Sequence, residues 1–182
     1  MLLFFIYVGV EGGFGNWIYT YATKLDIATN ASASLMNSFF WGALTLGRLL
    51  SILLAKKLSP STILLGNFCF SILFLGLILI WPLNPNVIWI GSIGLGFSLS
   101  SVFPTLLALA ETRMKVTGKV TGLFFLGSSL GGTLVPMLLG QIFDYIGSYE
   151  IMLALLGVTF VGLVILISVI RTSKKMGEKV RT

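Results

Sequence analysis

The chain has 182 residues, of which 56% are hydrophobic and only 10% are charged, and its mean hydropathy is +1.00. Soluble domains carry roughly 25% charged residues, so this composition excludes an ordinary soluble domain and predicts a protein that folds in a bilayer. The formal net charge of +6 reflects membrane topology and does not indicate nucleic-acid binding.

Six hydrophobic runs are long enough to cross a membrane, at about 20 residues per crossing. The connections between them are too short to hold a soluble domain. The predicted fold class is therefore an all-α membrane protein, a six-transmembrane-helix bundle over residues 1–170, followed by a basic tail over residues 171–182. The predicted spans lie near residues 2–22, 33–55, 61–81, 87–109, 120–143 and 150–170.

The first run has an acid, Glu11, near its middle. A carboxylate at that depth costs roughly 2.5 to 3.5 kcal/mol on insertion scales, so it marks a polar cavity inside a helix bundle. Glycines surround it and predict a weakened or discontinuous helix. These glycines are Gly9, Gly12, Gly13 and Gly15.

Asn16 and Trp17 follow Glu11 by more than one turn, some 120° to 140° around an ideal helix. Either the helix is deformed at the glycines, or these three residues do not share one cavity. Two interpretations stay open. In the first, Glu11 lies beside a substrate path; in the second, it is a structural hydrogen-bonding acid and Trp17 is a packing residue.

The second run carries a polar stripe made of Asn37, Trp41 and Arg48, which lie within roughly 40° of one another on a helix. A stripe that contains arginine cannot face lipid. The amide of Asn37 can hydrogen-bond a polyol, and the indole of Trp41 can cover the apolar face of a sugar ring. We expect Arg48 to close a gate or pair with a carboxylate on another helix, with snorkelling toward the headgroups as the alternative.

Two prolines interrupt later runs. Pro104 frees the carbonyl of Ser100, so a kink is expected among the serines there. Pro136 lies four residues after Gly132 and predicts a second kink. Bent helices of this kind suit a bundle that changes shape during a cycle.

Residues 127–131 spell G-x-S-x-G, the pattern of a hydrolase nucleophile. This run lies in a predicted membrane helix and the chain has no histidine, so we expect no enzyme. The same glycines form a small-xxx-small surface on which two helices can approach closely. With no histidine and one cysteine, the chain has no zinc ligand set, and no metal or other cofactor is expected.

Basic residues predict the orientation, because loops rich in lysine and arginine stay cytoplasmic. Ten basic residues fall on one side and only Lys24 on the other, so both termini are predicted to be cytoplasmic in a multi-pass cell-membrane protein. The tail is interpreted as a retention signal that contacts anionic lipid, or alternatively as a partner-binding segment. The ten are Lys56, Lys57, Arg113, Lys115, Lys119, Arg171, Lys174, Lys175, Lys179 and Arg181.

An ordered series of motifs carries a family resemblance. It consists of residues 7–17, 37–42, 47–50 and 103–105, followed by Gly131, Gly132, Pro136, Gly140, Asp144 and Gly147. With these motifs the chain resembles the C-terminal six-helix half of a major facilitator superfamily transporter. It is most similar to the fucose-permease and sodium-dependent-glucose-transporter-like branch.

The resemblance implies transport of a monosaccharide or similar polyol by alternating access, with proton or sodium symport. It also implies a partner: the missing N-terminal half, a second copy, or a related six-helix chain. The alternative is a non-transporting, truncated or regulatory subunit that packs against a full-length relative. The expected substrate-binding residues are Glu11, Asn16, Trp17, Asn37 and Trp41, and the expected gating or structural residues are Arg48, Pro104, Pro136 and Asp144.

One departure concerns the cytoplasmic motif after the second helix, which in the family begins with an acid. Residues 56–60 contain none, so the gating salt bridge of that motif is not expected here. A second departure is that the acids linked to proton coupling in fucose-permease-like members lie largely in the absent half.

Overall fold

The computed structural model describes the backbone of residues 1–179 and the side chains of residues 1–172. The described residues form seven helices, of which the fourth and fifth together make one crossing. They are α1 (Leu2–Lys24), α2 (Asn30–Ala55), α3 (Pro60–Ile80), α4 (Pro85–Leu99), α5 (Val102–Glu111), α6 (Gly118–Tyr145) and α7 (Glu150–Lys179).

The predicted class, an all-α six-helix membrane bundle, is confirmed. Five crossings are long and apolar enough to span a membrane by length and composition: α2, α3, α4 with α5, α6, and α7 up to Thr172. The remaining helix, α1, is not among these five and carries Glu11 and Asn16. It is nevertheless deeply embedded, with Tyr7, Phe14 and Ile18 fully buried among the other helices.

The end of the chain differs from the predicted boundary at residue 170, because α7 continues to Lys179. The division into a bundle and a basic tail stays a prediction. The side chains of Lys174, Lys175 and Lys179 lie outside the described residues, as does the whole of Arg181.

α1 is the central helix of the bundle. It packs most extensively against α6, and also against α2, α7 and α5. The other contacts run from α2 to α4, from α4 to α3 and from α3 to α7. Both α2 and α6 pack on α1. Within the described residues they make little contact with each other, so a strip of the α1 surface is left between them.

Glycines bring α1 and α6 into close backbone contact. A Cβ atom on Gly127 would lie 2.9 Å from the carbonyl oxygen of Met1, and one on Gly131 would overlap the backbone of Phe5. A Cβ on Gly9 would lie 2.6 Å from Cγ2 of Val135. The small-xxx-small packing surface is therefore confirmed.

The discontinuity predicted for the first helix is wrong, since α1 runs without a break from Leu2 to Lys24. The reason is tertiary: α1 glycines that would weaken an isolated helix allow close packing on neighbouring helices. Gly9 meets α6, and a Cβ on Gly13 would lie 2.9 Å from both Leu139 and Leu155.

The fourth crossing is broken, as predicted near Pro104. α4 ends at Leu99 and α5 begins at Val102. The Ser100 hydroxyl donates to the carbonyl of Phe97 over 2.7 Å, and the same carbonyl also accepts the backbone N–H of Ser100. α6, in contrast, runs through Pro136 without interruption.

The α1–α6 contact gives a first prediction. Gly131→Ala should lower the thermal stability of the full chain in mild detergent, because its Cβ would overlap the α1 backbone and overpacking costs about 1–3 kcal/mol. Gly122→Ala is the matched control on α6: no atom lies within 4 Å of its Cβ position. It should be neutral or stabilising, because alanine favours helix by about 0.8–1.0 kcal/mol over glycine. Equal melting temperatures for the two variants would contradict the packing.

Candidate functional site

The centre of the candidate site is an ion pair between α1 and α2. Nη2 of Arg48 donates to Oε1 of Glu11 over 3.1 Å. Glu11 is only 8% exposed, whereas the Arg48 side chain is 50% exposed. The predicted pairing of Arg48 with a carboxylate on another helix is confirmed, and one side of the pair remains accessible from outside the bundle.

Tyr7 belongs to the same cluster, although the sequence did not single it out. It precedes Glu11 by four residues, so both side chains lie on one helix face, close enough to Arg48 for all three to interact. The Tyr7 hydroxyl is buried and has no hydrogen bond of standard geometry among the described residues. The i, i+4 spacing from Glu11 was the signal that could have identified it.

Trp41, a second residue of the polar stripe, also contacts α1. Trp41 is 38% exposed, and its ring lies over Gly15, where a Cβ atom would be 2.5 Å from Cζ2 of the indole. Glycine at this position thus makes room for the indole. Asn37 is one turn away on α2, and its Oδ1 atom is buried without a hydrogen-bond partner among the described residues.

Trp17 lies on a different side of α1. Its Nε1 donates to the carbonyl of Pro136 over 3.0 Å, and its ring packs on Gly140 and Phe143. Because α1 is an unbroken helix, Glu11 faces α2 while Trp17 faces α6, and the two do not share one cavity. These contacts favour the packing interpretation of Trp17, and its role in substrate binding stays a prediction.

The other predicted positions are spread over the bundle. Asn16 is exposed beside Gly15 on α1, Pro104 is exposed in the first turn of α5, and Asp144 is exposed in the last turn of α6. Pro136 is half-buried in α6, where it holds Trp17. The structure therefore brings Glu11, Arg48 and Trp41 to the α1–α2 interface, with Asn37 one turn from Trp41 on α2, and their roles in binding or gating stay predictions.

This arrangement combines three kinds of chemistry on one half-open face. The guanidinium has five N–H groups, and its one hydrogen bond among those described is to Glu11. The indole offers a flat apolar surface with a polar edge, and Asn37 offers a buried acceptor that needs a donor. Such a face suits a neutral solute with many hydroxyl groups.

Comparisons with known proteins identify a family and several relatives. The family model of the Major Facilitator Superfamily matches residues 1–136. Major facilitator superfamily domain-containing protein 4A of Homo sapiens is 32% identical over 160 residues, which is 87% of this chain and 31% of that protein. Sodium-dependent glucose transporter 1 of Danio rerio is 31% identical over 149 residues, 82% of this chain and 25% of that protein. The chain thus spans about a third or less of the length of these relatives.

The ion pair gives a second prediction. Arg48→Met should lower thermal stability because Glu11 then has no partner; we expect a loss of about 1–3 kcal/mol, below the 3–5 kcal/mol of fully buried pairs, since Arg48 is half-exposed. Glu11→Gln combined with Arg48→Met should regain most of that loss by removing the stranded charge. Melting temperatures of the four proteins form a double-mutant cycle. Strictly additive effects would show that the pair does not contribute.

Proposed function

This chain belongs to the Major Facilitator Superfamily, and from that premise we propose that its bundle is one half of a transporter that moves a small polar solute by alternating access. Its relatives are transporters and not enzymes, which confirms the expectation that the chain is not an enzyme. The observation that carries the proposal is the Glu11–Arg48 pair, an intramembrane ion pair that is open on one side.

The proposed substrate is a monosaccharide or similar polyol. Support comes from the partly exposed indole of Trp41, which can stack on a sugar ring. The acceptor of Asn37 is unpaired but buried, so it can receive a sugar hydroxyl once a conformational change exposes it. Asn16 can contribute from the exposed side of α1. Similarity to proteins named sodium-dependent glucose transporters supports the same class of solute.

The proposed coupling group is Glu11. A proton or sodium ion that binds its carboxylate competes with the guanidinium of Arg48, because both neutralise the same charge. Loss of the pair removes one contact between α2 and α1 and leaves the guanidinium of Arg48 available to another acceptor. Cation binding is thereby linked to a change in the helix contacts that line the solute path.

The open face also requires a partner in the membrane. A guanidinium that is half-exposed on a bundle surface is costly against lipid, so we propose that an N-terminal half, a second copy or a related six-helix chain covers it. The helices mark a multi-pass membrane protein. We place it in the cell membrane with both ends in the cytoplasm, following the ten-to-one distribution of basic residues.

A non-transporting subunit would use the same face only to dock on a full-length relative. Transport assays on the reconstituted assembly separate the two functions, because a docking subunit would tolerate changes of solute-facing side chains that keep the assembly intact.

For coupling, we expect Glu11→Gln in the assembled transporter to reduce concentrative sugar uptake more than sugar exchange, because exchange needs no net cation movement. Glu111→Gln, at the exposed end of α5, is the matched control. Uptake of labelled sugar into proteoliposomes, at equal protein abundance, measures both modes. Unchanged uptake and unchanged ion dependence in Glu11→Gln would refute the coupling role.

For substrate contact, Trp41→Ala should weaken sugar binding by about 1–3 kcal/mol, the scale of burying a large aromatic side chain. Trp41→Phe should weaken it less, because a ring remains. Trp81→Ala, at the exposed end of α3, controls for loss of an indole elsewhere. If Trp41→Ala leaves affinity unchanged and lowers only the melting temperature, the tryptophan is a packing residue.

A further inference from the structure

A second open surface lies away from the polar stripe, between α2, α3 and α4. α2 and α3 make only sparse contact with each other, and the gap between them forms an open cavity of about 600 Å³ with α4 as its floor. We call it the α2–α3 groove. Its walls include Leu50 and Leu54 on α2, Phe70 and Phe74 on α3, and Phe97 on α4.

The groove is separate from the proposed solute site. At 100° per residue, the groove-lining positions Leu50, Ser51 and Leu54 centre roughly 110° around α2 from the polar stripe. The same helix therefore presents one face to Glu11 and another to the groove. A partner that covers the ion pair does not fill the groove by doing so.

The groove does not offer the chemistry of a sugar site, because its polar side chains already have partners. Asn67 Nδ2 donates to Oγ of Ser101 over 2.7 Å. The hydroxyls of Ser51, Ser98 and Ser100 donate to backbone carbonyls of their own segments. What the groove presents to an occupant is chiefly hydrocarbon surface.

Its length and position match one leaflet of a bilayer. On α3 the lining runs from Thr62 to Phe74, about 18 Å at 1.5 Å per residue, against a hydrocarbon core of about 30 Å for both leaflets. Thr62 lies in the first turn of α3, so the groove begins at the membrane surface and ends just past the midplane. A single acyl chain spans that depth.

The mouth of the groove carries positive charge. Lys56 and Lys57 are exposed in the connection between α2 and α3, directly between the lining residues Leu54 and Leu58. Among the described residues, neither lysine forms an ion pair with a carboxylate. Their charge complements a phosphate-bearing headgroup at the depth where an acyl chain would leave the groove.

We propose that the α2–α3 groove is a binding site for an anionic phospholipid of the leaflet on the Lys56–Lys57 side. One acyl chain lies along α3 between the leucines of α2 and the phenylalanines of α3, and the two lysines hold the anionic headgroup. The site does not depend on the proposed transport function, so its test needs no substrate.

Gly66 provides a direct way to fill the groove. It is a lining residue, and no atom lies within 4 Å of its Cβ position, so Gly66→Phe can occupy the groove without a backbone clash. Gly76→Phe is the matched control: the same helix, equally open space at Cβ, and a position outside the groove lining. Lys56→Ala with Lys57→Ala tests the headgroup contact, and Lys119→Ala controls for loss of positive charge elsewhere.

The experiment is native mass spectrometry of the full chain in mild detergent with added phosphatidylglycerol or phosphatidylcholine of identical acyl chains. The wild-type chain and Gly76→Phe should retain phosphatidylglycerol more strongly than phosphatidylcholine. Gly66→Phe should lose both lipids. The lysine double variant should lose the preference, on the order of fivefold per lysine, while Lys119→Ala keeps it.

Two results would overturn the proposal. One is equal retention of both lipids by the wild-type chain; the other is phosphatidylglycerol retention by Gly66→Phe at the wild-type level. If Gly66→Phe has a lower melting temperature than Gly76→Phe, the two cannot be compared and the lysine double variant decides. Its changes lie outside the membrane helices. A preserved preference for phosphatidylglycerol in that variant also refutes the site.

Discussion

The hydrocarbon core of a membrane contains no water, so a polar group inside this bundle is costly unless it finds a partner within the protein. Hydroxyls meet this constraint locally: those of Ser98, Ser128 and Thr159 donate to the carbonyl one turn earlier. A carboxylate has no partner of opposite charge in the apolar turns of its own helix. Glu11 therefore takes Arg48 from α2, and this choice fixes which faces of α1 and α2 meet.

Different interactions therefore hold the two sides of α1. Toward α6 the contact is close packing of backbone on backbone, at Gly127 and Gly131, with the Trp17 indole bonded to the Pro136 carbonyl. Such packing is short-ranged and has one good arrangement. Toward α2 the contact includes an ion pair whose guanidinium is half-exposed and can exchange its carboxylate for another partner. The contact of α1 with α6 therefore rests on close packing, whereas its contact with α2 includes a charged pair, which is the one that the proposed coupling mechanism uses.

The sequence was sufficient for features that follow from one helix at a time. Hydrophobic length gave the six crossings, the spacing of Asn37, Trp41 and Arg48 gave a common stripe, and Pro104 gave the break of the fourth crossing. Features that depend on the facing helix were not accessible. The glycines around Glu11 predict a broken helix in isolation, and only the neighbours they meet explain why α1 is continuous. Tyr7 and Asn67 were not predicted for the same reason. Tyr7 matters because it lies beside the ion pair of Glu11, and Asn67 because it bonds Ser101 on another segment.

α2 carries parts of both proposed sites, the solute site and the α2–α3 groove. One face holds Arg48 and Trp41, and the face roughly 110° away lines the α2–α3 groove. A rigid helix cannot move at one face alone, so a displacement that separates Arg48 from Glu11 also changes the width of the groove between α2 and α3. If the pair opens by a displacement of α2 rather than by rotation of the Arg48 side chain, a ligand that prefers one width of the groove biases the ion pair, and a cation that opens the pair changes the affinity of the groove by the same factor. The proposed lipid site and the proposed coupling group would then be linked through one helix, α2.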